Sequence, residues 1–281
     1  MRLLLTGSPS LPPLLLRGAL LSPFKRPGPD AEFPRVRLVL PGLRTDPARL
    51  AAYERVCGFP AGPAGDGTLP VTYPHVLGFP LAMRLMSGRN FPLPLLGLVH
   101  TSLEITRHGA LTATGEYELT VYVEGSAPHR RGTEAVVVTE MRAGGDVVWE
   151  SRSRYLARHR TRHRAGEPPG ETRKPLPAVA EWRLAGDLGR RYGAASGDRN
   201  PIHLHPLTAR PFGFPRAIAH GMWTVARCLA AHGAPASCVV RAEFRAPVPL
   251  PGTVTYAAQG GRFELRDRGD RVRVAGEVYP L

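Results

Sequence analysis

Lysine is almost missing from this chain: it occurs only at Lys25 and Lys174, so arginine carries nearly all of the positive charge. Cysteine is scarce as well, with Cys57, Cys228 and Cys238 far apart and no CxxC pair. An odd number at such spacing supports neither a disulfide framework nor a zinc site, and it fits a reducing, cytoplasmic compartment. No uncharged apolar run reaches the length needed to span a bilayer. The leucine-rich stretch from Met1 to Ser22 is interrupted by Pro9, Pro12 and Pro13 and contains Arg17. Its charge is misplaced for a signal peptide, and it reads as an extended segment packed on the first domain. GxGxxG, P-loop, HExxH and GxSxG motifs are all absent. That sets aside nucleotide-binding, zinc-protease and serine-hydrolase readings, and no metal is expected.

What is present is charge and apolar mass. The 37 basic and 23 acidic side chains leave a net charge of +14, which favours capture of anionic ligands. With abundant Ala, Gly and Pro, the arginine bias reads as codon composition as much as selection for such a partner. Nucleic acid is not the expected one, because no helix-turn-helix, zinc-finger, RNP or KH signature occurs. A hydrophobic content of 43% supports packed cores, and 281 residues suggest two domains.

A Pro/Gly-rich stretch, Ala165 to Pro177, reads as a linker and puts the boundary near residue 170. The arginine-rich run before it, Arg152 to Arg164, is either a solvated strand end or a phosphate-docking patch. The two halves repeat a pattern. Tyr53 and Gly58 recur, at the same spacing, as Tyr192 and Gly197. Gly78-Phe79-Pro80 leads into apolar Leu81 to Met86, as Gly213-Phe214-Pro215 leads into Ile218 to Leu229. Strand-like runs follow each helix candidate: Gly97–Ile105, Leu111–Val123, Glu134–Met141 and Asp146–Tyr155, then Ser237–Phe244, Gly252–Gln259, Arg262–Arg266 and Val272–Tyr279. One helix and several antiparallel strands, twice over, predict an α+β duplication.

Polar chemistry is confined to the second copy. Gly197-Asp198-Arg199-Asn200-Pro201-Ile202-His203 sets a carboxylate and an imidazole five positions apart across an Asn-Pro step. Pro201 interrupts a regular helix and pushes Asn200 out of αR, so the segment reads as a turn that can hold both side chains toward a cleft. Asp198 and His203 can share acid–base work on a water, with Asn200 fixing the geometry. The competing reading is an Asx-turn with a surface histidine. By the tyrosine register, Phe59 and Ala64 stand where the second copy has Asp198 and His203. The first copy therefore reads as a partner that shapes a pocket.

Downstream, Ile218-Ala219-His220-Gly221-Met222 opens an apolar helix that Gly233 stops. The first N–H groups of a helix lack intrahelical partners, and Gly221 has no side chain to block a carbonyl oxygen gaining charge. His220 alone reads as structural, and His100 as a satisfied strand histidine. Ser196 is either a turn residue or a hydrogen-bond donor to the site. Phe244 is a candidate for substrate contact, and Arg245 beside it is either a phosphate contact or a solvated cation.

The blocks Gly197-Asp198-Arg199-Asn200-Pro201-Ile202-His203 and Ile218-Ala219-His220-Gly221-Met222 resemble the signature of MaoC-like (R)-specific enoyl-thioester hydratases. The whole chain is similar to the (3R)-hydroxyacyl-thioester dehydratases that fuse two hotdog domains, including Leu69-Pro70-Val71-Thr72-Tyr73-Pro74 in the first half. The resemblance implies an α+β double hotdog in which each curved antiparallel sheet wraps a long helix. It divides the chain into an extension (1–45), a degenerate hotdog lining the acyl pocket (46–164), a linker (165–180) and a catalytic hotdog (181–281). It implies that Asp198 and His203 hold the water, Asn200 supports them, and Gly221 supplies the oxyanion N–H. Some relatives carry a serine further along that helix, where this chain has Leu229. The implied reaction is reversible hydration of trans-2-enoyl thioesters to (3R)-3-hydroxyacyl thioesters in fatty acid metabolism. Coenzyme A or an acyl carrier protein would carry the acyl group, and no other cofactor is implied. The implied assembly is a monomer holding a pseudo-dimer, or a homodimer of such units. Two rival readings keep the fold: an acyl-CoA thioesterase and a non-catalytic acyl-thioester binding module.

Overall fold

The computed structural model describes residues 1–28, 31–60, 67–161 and 175–281. Strand β1 (Arg2–Leu4) and helix α1 (Leu11–Leu21) precede β2 (Arg37–Arg44), α2 (Pro47–Cys57) and α3 (Tyr73–Met86). An antiparallel set closes the first half: β3 (Val99–Arg107), β4 (Glu116–His129), β5 (Gly132–Ala143) and β6 (Asp146–Arg158). The second half runs β7 (Ala178–Leu184), α4 (Leu188–Ser196), two single-turn helices α5 (Pro201–Leu204) and α6 (Pro206–Ala209), and α7 (Gly221–His232). It ends with β8 (Cys238–Phe244), β9 (Gly252–Gln259), β10 (Arg262–Asp267) and β11 (Val272–Pro280).

The strands form one sheet in the order β1-β2-β4-β5-β6-β3-β8-β11-β10-β9-β7. Read outward from the β3·β8 junction, the two sides have the same order: β3-β6-β5-β4-β2 on one, β8-β11-β10-β9-β7 on the other. The duplication expected from the sequence is therefore a duplication of topology, joined by antiparallel pairing from Ser102↔Glu243 to Arg107↔Cys238. Helix α3 packs on β4 and β5, and α7 on β10 and β11. This is the double hotdog.

Local sequence explains the elements. Asp46 caps α2 by accepting from the N–H groups of Ala48 and Arg49, Pro47 takes the first turn, and Gly58 ends the helix at φ 79°. Gly197 ends α4 in the same way at φ 86°, so the repeated Tyr-to-Gly spacing is a repeated helix stop. Strand β11 alternates, with Val274, Gly276 and Val278 inward and their neighbours outward. Helices α2 and α4 pack together and bring Tyr53 and Tyr192 to 6.0 Å between ring centroids. Trp223 Nε1 donates across the halves to the Val56 carbonyl at 2.8 Å.

Four expectations need correction. The N-terminal segment is not extended throughout: residues 11–21 are helical, because Pro12 and Pro13 lie in the first turn, where no intrahelical N–H is needed. The Gly-Phe-Pro parallel fails, since Pro80 lies inside α3 whereas Gly213 ends a short 3-10 turn well before α7. The linker is shorter than 165–180, because Ala178–Ala180 already belong to β7; residues 162–174, including Arg162 to Arg164, lie outside the described residues. Residues 1–45 are not all an extension, because Arg37–Arg44 form β2 and pair with β4 in the sheet, and Pro41-Gly42 does not end the strand. It is a break in register between Leu40 and Leu43, with Gly42 at φ 65°, on a stretch that pairs only with β4.

Candidate active site

The loop leaving α4 is tied by side chains that each hold the N–H two residues onward. Ser196 Oγ accepts from Asp198 N–H (3.2 Å), Asp198 Oδ1 from Asn200 N–H (3.1 Å), and Asn200 Oδ1 from Ile202 N–H (3.4 Å). Ser, Asp and Asn at alternate positions are the residue types whose short polar arms make such local bonds. Pro201 does not end helical structure here. It sits at the first position of α5, behind the Asn200 cap.

Beneath the loop, α4 presents two glycines one turn apart. A Cβ at Gly193 would stand 2.8 Å from the Asp198 carbonyl oxygen, and one at Gly189 would overlap the His203 carbonyl, 2.8 Å from its carbon. Only bare backbone lets the loop lie this close.

His203 is buried, and its Nδ1 lies 2.8 Å from the Ile218 carbonyl oxygen. A carbonyl only accepts, so Nδ1 carries the proton and Nε2 keeps its lone pair. His220 is likewise fixed, with Nε2 donating to the Asp198 backbone oxygen at 2.9 Å. Its ring stacks on His203 at 3.7 Å between centroids, and its Nε2 lies 3.9 Å from Asp198 Oδ2. Burial is the main influence on all three groups. It raises the pKa of Asp198 against the opposing pull of His203 and the Asn200 N–H. It lowers that of His203 despite Asp198, and it holds His220 well below the ordinary range with help from His203. At neutral pH both imidazoles are uncharged.

Gly221 is the first residue of α7, directly after the His220 cap, so its N–H has no partner within the helix. A Cβ there would come 3.0 Å from Phe244 Cε1, so glycine lets the aromatic ring close over the helix start. Phe244 in turn lies tilted against His100 at 4.6 Å between centroids, and His100 stacks on Tyr155 at the same distance. Burial raises the Tyr155 pKa, and the nearby Asp198 charge adds to it. The first half thus supplies one wall, and the polar row continues to His75, 6.0 Å from His100.

The structure gathers Asp198, His203, Asn200, Gly221 and Phe244. Ser196 is buried and acts in the turn as an acceptor. Arg245 is not gathered: it is exposed and paired with Glu243 at 3.1 Å. His100 is not satisfied, since its buried Nε2 has no hydrogen-bond partner. Sequence reasoning missed its place at the site, along with Tyr155 and the stacking of His220; strand alternation could have put His100 on an inner face, but not beside Phe244.

The ligand atoms of Asp198, His203 and His220 lie within 4.8 Å of one another, as metal-binding groups can. His220 Nε2, the nitrogen 3.9 Å from Asp198 Oδ2, donates to the Asp198 backbone oxygen and so offers no lone pair to a metal there. The set suits proton transfer better than tetrahedral coordination.

The first copy shows why it holds no second site. Tyr73 faces Tyr53 at 5.0 Å, as His220 faces Tyr192 at 4.7 Å. That puts Pro74, which has no N–H, where the second copy has Gly221. Phe59 stacks on Tyr53 at 6.4 Å, and Ala64 lies outside the described residues.

A double hotdog with an Asp–His pair beside one helix start defines the class, and the comparisons agree. The MaoC like domain family matches residues 167–278. The chain is 38% identical over 241 residues to 3-hydroxyacyl-thioester dehydratase X of Mycobacterium tuberculosis (strain ATCC 25618 / H37Rv), covering 83% of this chain and 84% of that one. It superposes on a crystal structure of HtdX from Mycobacterium tuberculosis with a TM-score of 0.76 and 32% identity, over 87% of this chain and 100% of the other. A Mycobacterium tuberculosis protein described as having a double hotdog fold shares the fold at 12% identity and a TM-score of 0.54, over 85% and 93% of the two chains. The chain belongs to the MaoC-like 3-hydroxyacyl-thioester dehydratase family.

Proposed function

We propose that this protein interconverts (3R)-3-hydroxyacyl thioesters and trans-2-enoyl thioesters, using Asp198 and His203 as the acid–base pair. The observation that carries the reading is the bare Nε2 of a neutral, buried His203 beside Asp198, next to the free N–H at the start of α7. In hydration, one member of the pair takes a proton from water as its oxygen bonds to C3. The C2=C3 electrons move toward the thioester carbonyl, whose oxygen gains charge at the Gly221 N–H, and the pair returns the proton it took from water to C2, ending with the protons it began with. Dehydration runs the same steps backward. The raised pKa of Asp198 and the lowered pKa of His203 bring their proton affinities closer together, which eases exchange in both directions.

Asn200 and His220 position the pair, and Phe244 and Tyr155 form the wall over the reacting carbons. No metal or organic cofactor is needed for these steps. The arginine-rich surface suits the phosphates of coenzyme A or an acidic acyl carrier protein as the acyl carrier. The three free cysteines are all buried, in keeping with the proposed cytoplasmic setting. Among the described residues no helix is long and apolar enough to cross a membrane. A single chain already pairs two hotdogs, so we propose that one copy holds a complete site.

The test is to follow a short enoyl-CoA by loss of enoyl absorbance while titrating free thiol. Loss of the double bond without thiol release is expected. Thiol release with the double bond intact would make the protein a thioesterase, and binding without turnover would make it a binding module.

A further inference from the structure

We propose that α1 is a docking face that seats the protein on an anionic lipid surface. The helix is pinned in one rotation. Gly18 faces the body, where a Cβ would stand 3.2 Å from Ser87 Cβ and collide with Leu95. Arg17 donates to the Ser87 and Arg84 carbonyls at 3.1 and 3.2 Å. Ser22 Oγ accepts from Leu96 N–H at 2.9 Å, and Lys25 donates to the Gly88 carbonyl at 2.9 Å.

That fixed rotation leaves Leu16 and Leu20 outward one turn apart on α1, 63% and 64% exposed, and Phe24, 80% exposed, ends the 3-10 turn (Ser22–Phe24) that follows. A stripe of large apolar side chains held toward solvent by this many anchors marks an interaction surface. Beside it, Leu16 and Leu20 line a groove of about 310 Å³ together with Arg17 and Arg89.

Charge selects the partner. Arg17 and Arg26 are exposed in this segment, Arg84 and Arg89 are exposed on the adjoining α3 end, and residues 1–28 contain no carboxylate; Arg2 is paired with Glu118 on the sheet and takes no part. Apolar side chains rimmed by guanidinium groups match a bilayer surface, where acyl chains lie beneath anionic headgroups. A second copy is a poorer match, because it would bring the same cationic face against itself.

The experiment is flotation of the full chain with phosphatidylcholine vesicles, with and without phosphatidylglycerol. Binding is expected only with phosphatidylglycerol, and it should weaken as salt rises. Leu16→Ser/Leu20→Ser/Phe24→Ser should bind at least tenfold more weakly with an unchanged melting temperature, since these side chains are exposed. Should that triple variant misfold, Arg26→Glu/Arg89→Glu gives the same readout through charge alone. Absence of binding to either vesicle, or equal binding by wild type and variants, would overturn the proposal. So would a lipid-free dimer of the wild type that the triple variant abolishes.

Discussion

Replacing Gly189 by alanine should remove most activity without removing the fold. Gly189 lies on α4, and it touches the reacting groups only through the backbone of His203. An alanine Cβ would stand 2.8 Å from the His203 carbonyl carbon, whereas carbon–carbon contacts settle at about 3.5–4.0 Å. The His203 carbonyl oxygen would be closer still, so the turn carrying His203 must lift by at least about 1 Å. Misplacing a catalytic group by that distance can cost about 10²-fold in rate. Helix propensity favours alanine by about 1 kcal/mol, which partly offsets an overpacking cost of about 1–3 kcal/mol. The melting temperature should fall by only a few degrees. Hydration of a short enoyl-CoA should then show kcat down about a hundredfold in a protein with a wild-type circular dichroism spectrum. Retention of kcat within about threefold would refute the claim that α4 sets the height of His203.

Three further outcomes follow from the same geometry. Arg49 Nε and Nη2 bond the Ala195 and Ser196 carbonyls at 3.0 and 2.7 Å, tying the first half to the end of α4. Arg49→Ala should cost about 2 kcal/mol in urea unfolding; a change within error would show that water replaces the guanidinium. Burial lowers the His75 pKa from 6.5 to about 4. Its native form binds fewer protons than the unfolded chain, so stability is full above pH 6.5 and is lost as pH falls toward 4, by about 3 kcal/mol. His75→Phe should flatten that acid slope, and equal slopes would contradict the assignment. His203 enters the cycle neutral and burial lowers its pKa, so kcat/KM should hold below pH 6.5. An acid limb at or above that pH would contradict the burial argument.

Much of the second half was legible because its signals are local. Asp198, Asn200, Pro201 and His203 sit within one turn-forming stretch, and Gly58 and Gly197 mark helix ends by chemistry alone. The strands from β3 to β6 and from β8 to β11 announce themselves through β-branched runs. What stayed hidden depends on distant partners. His100 is at the site because β3 pairs with β6 and β8, and no local pattern reveals that pairing. The Gly189–Gly193 spacing on α4 was visible, but its meaning lies in a loop that folds back over it. Arg245 looked available beside Phe244 until Glu243, two residues back at the end of β8, proved to hold it. The helical form of α1 was obscured by prolines that happen to fall in its first turn.

The central claim is that Asp198 and His203 act together on one water. Asp198→Asn keeps an oxygen for the Asn200 N–H and so preserves the loop, while His203→Ala removes the free Nε2 lone pair. The decisive measurement is turnover of a short enoyl-CoA by both purified variants, with melting temperatures recorded alongside. The account predicts losses of about 10²-fold or more in each, with folded protein throughout. Wild-type turnover by either folded variant would contradict it.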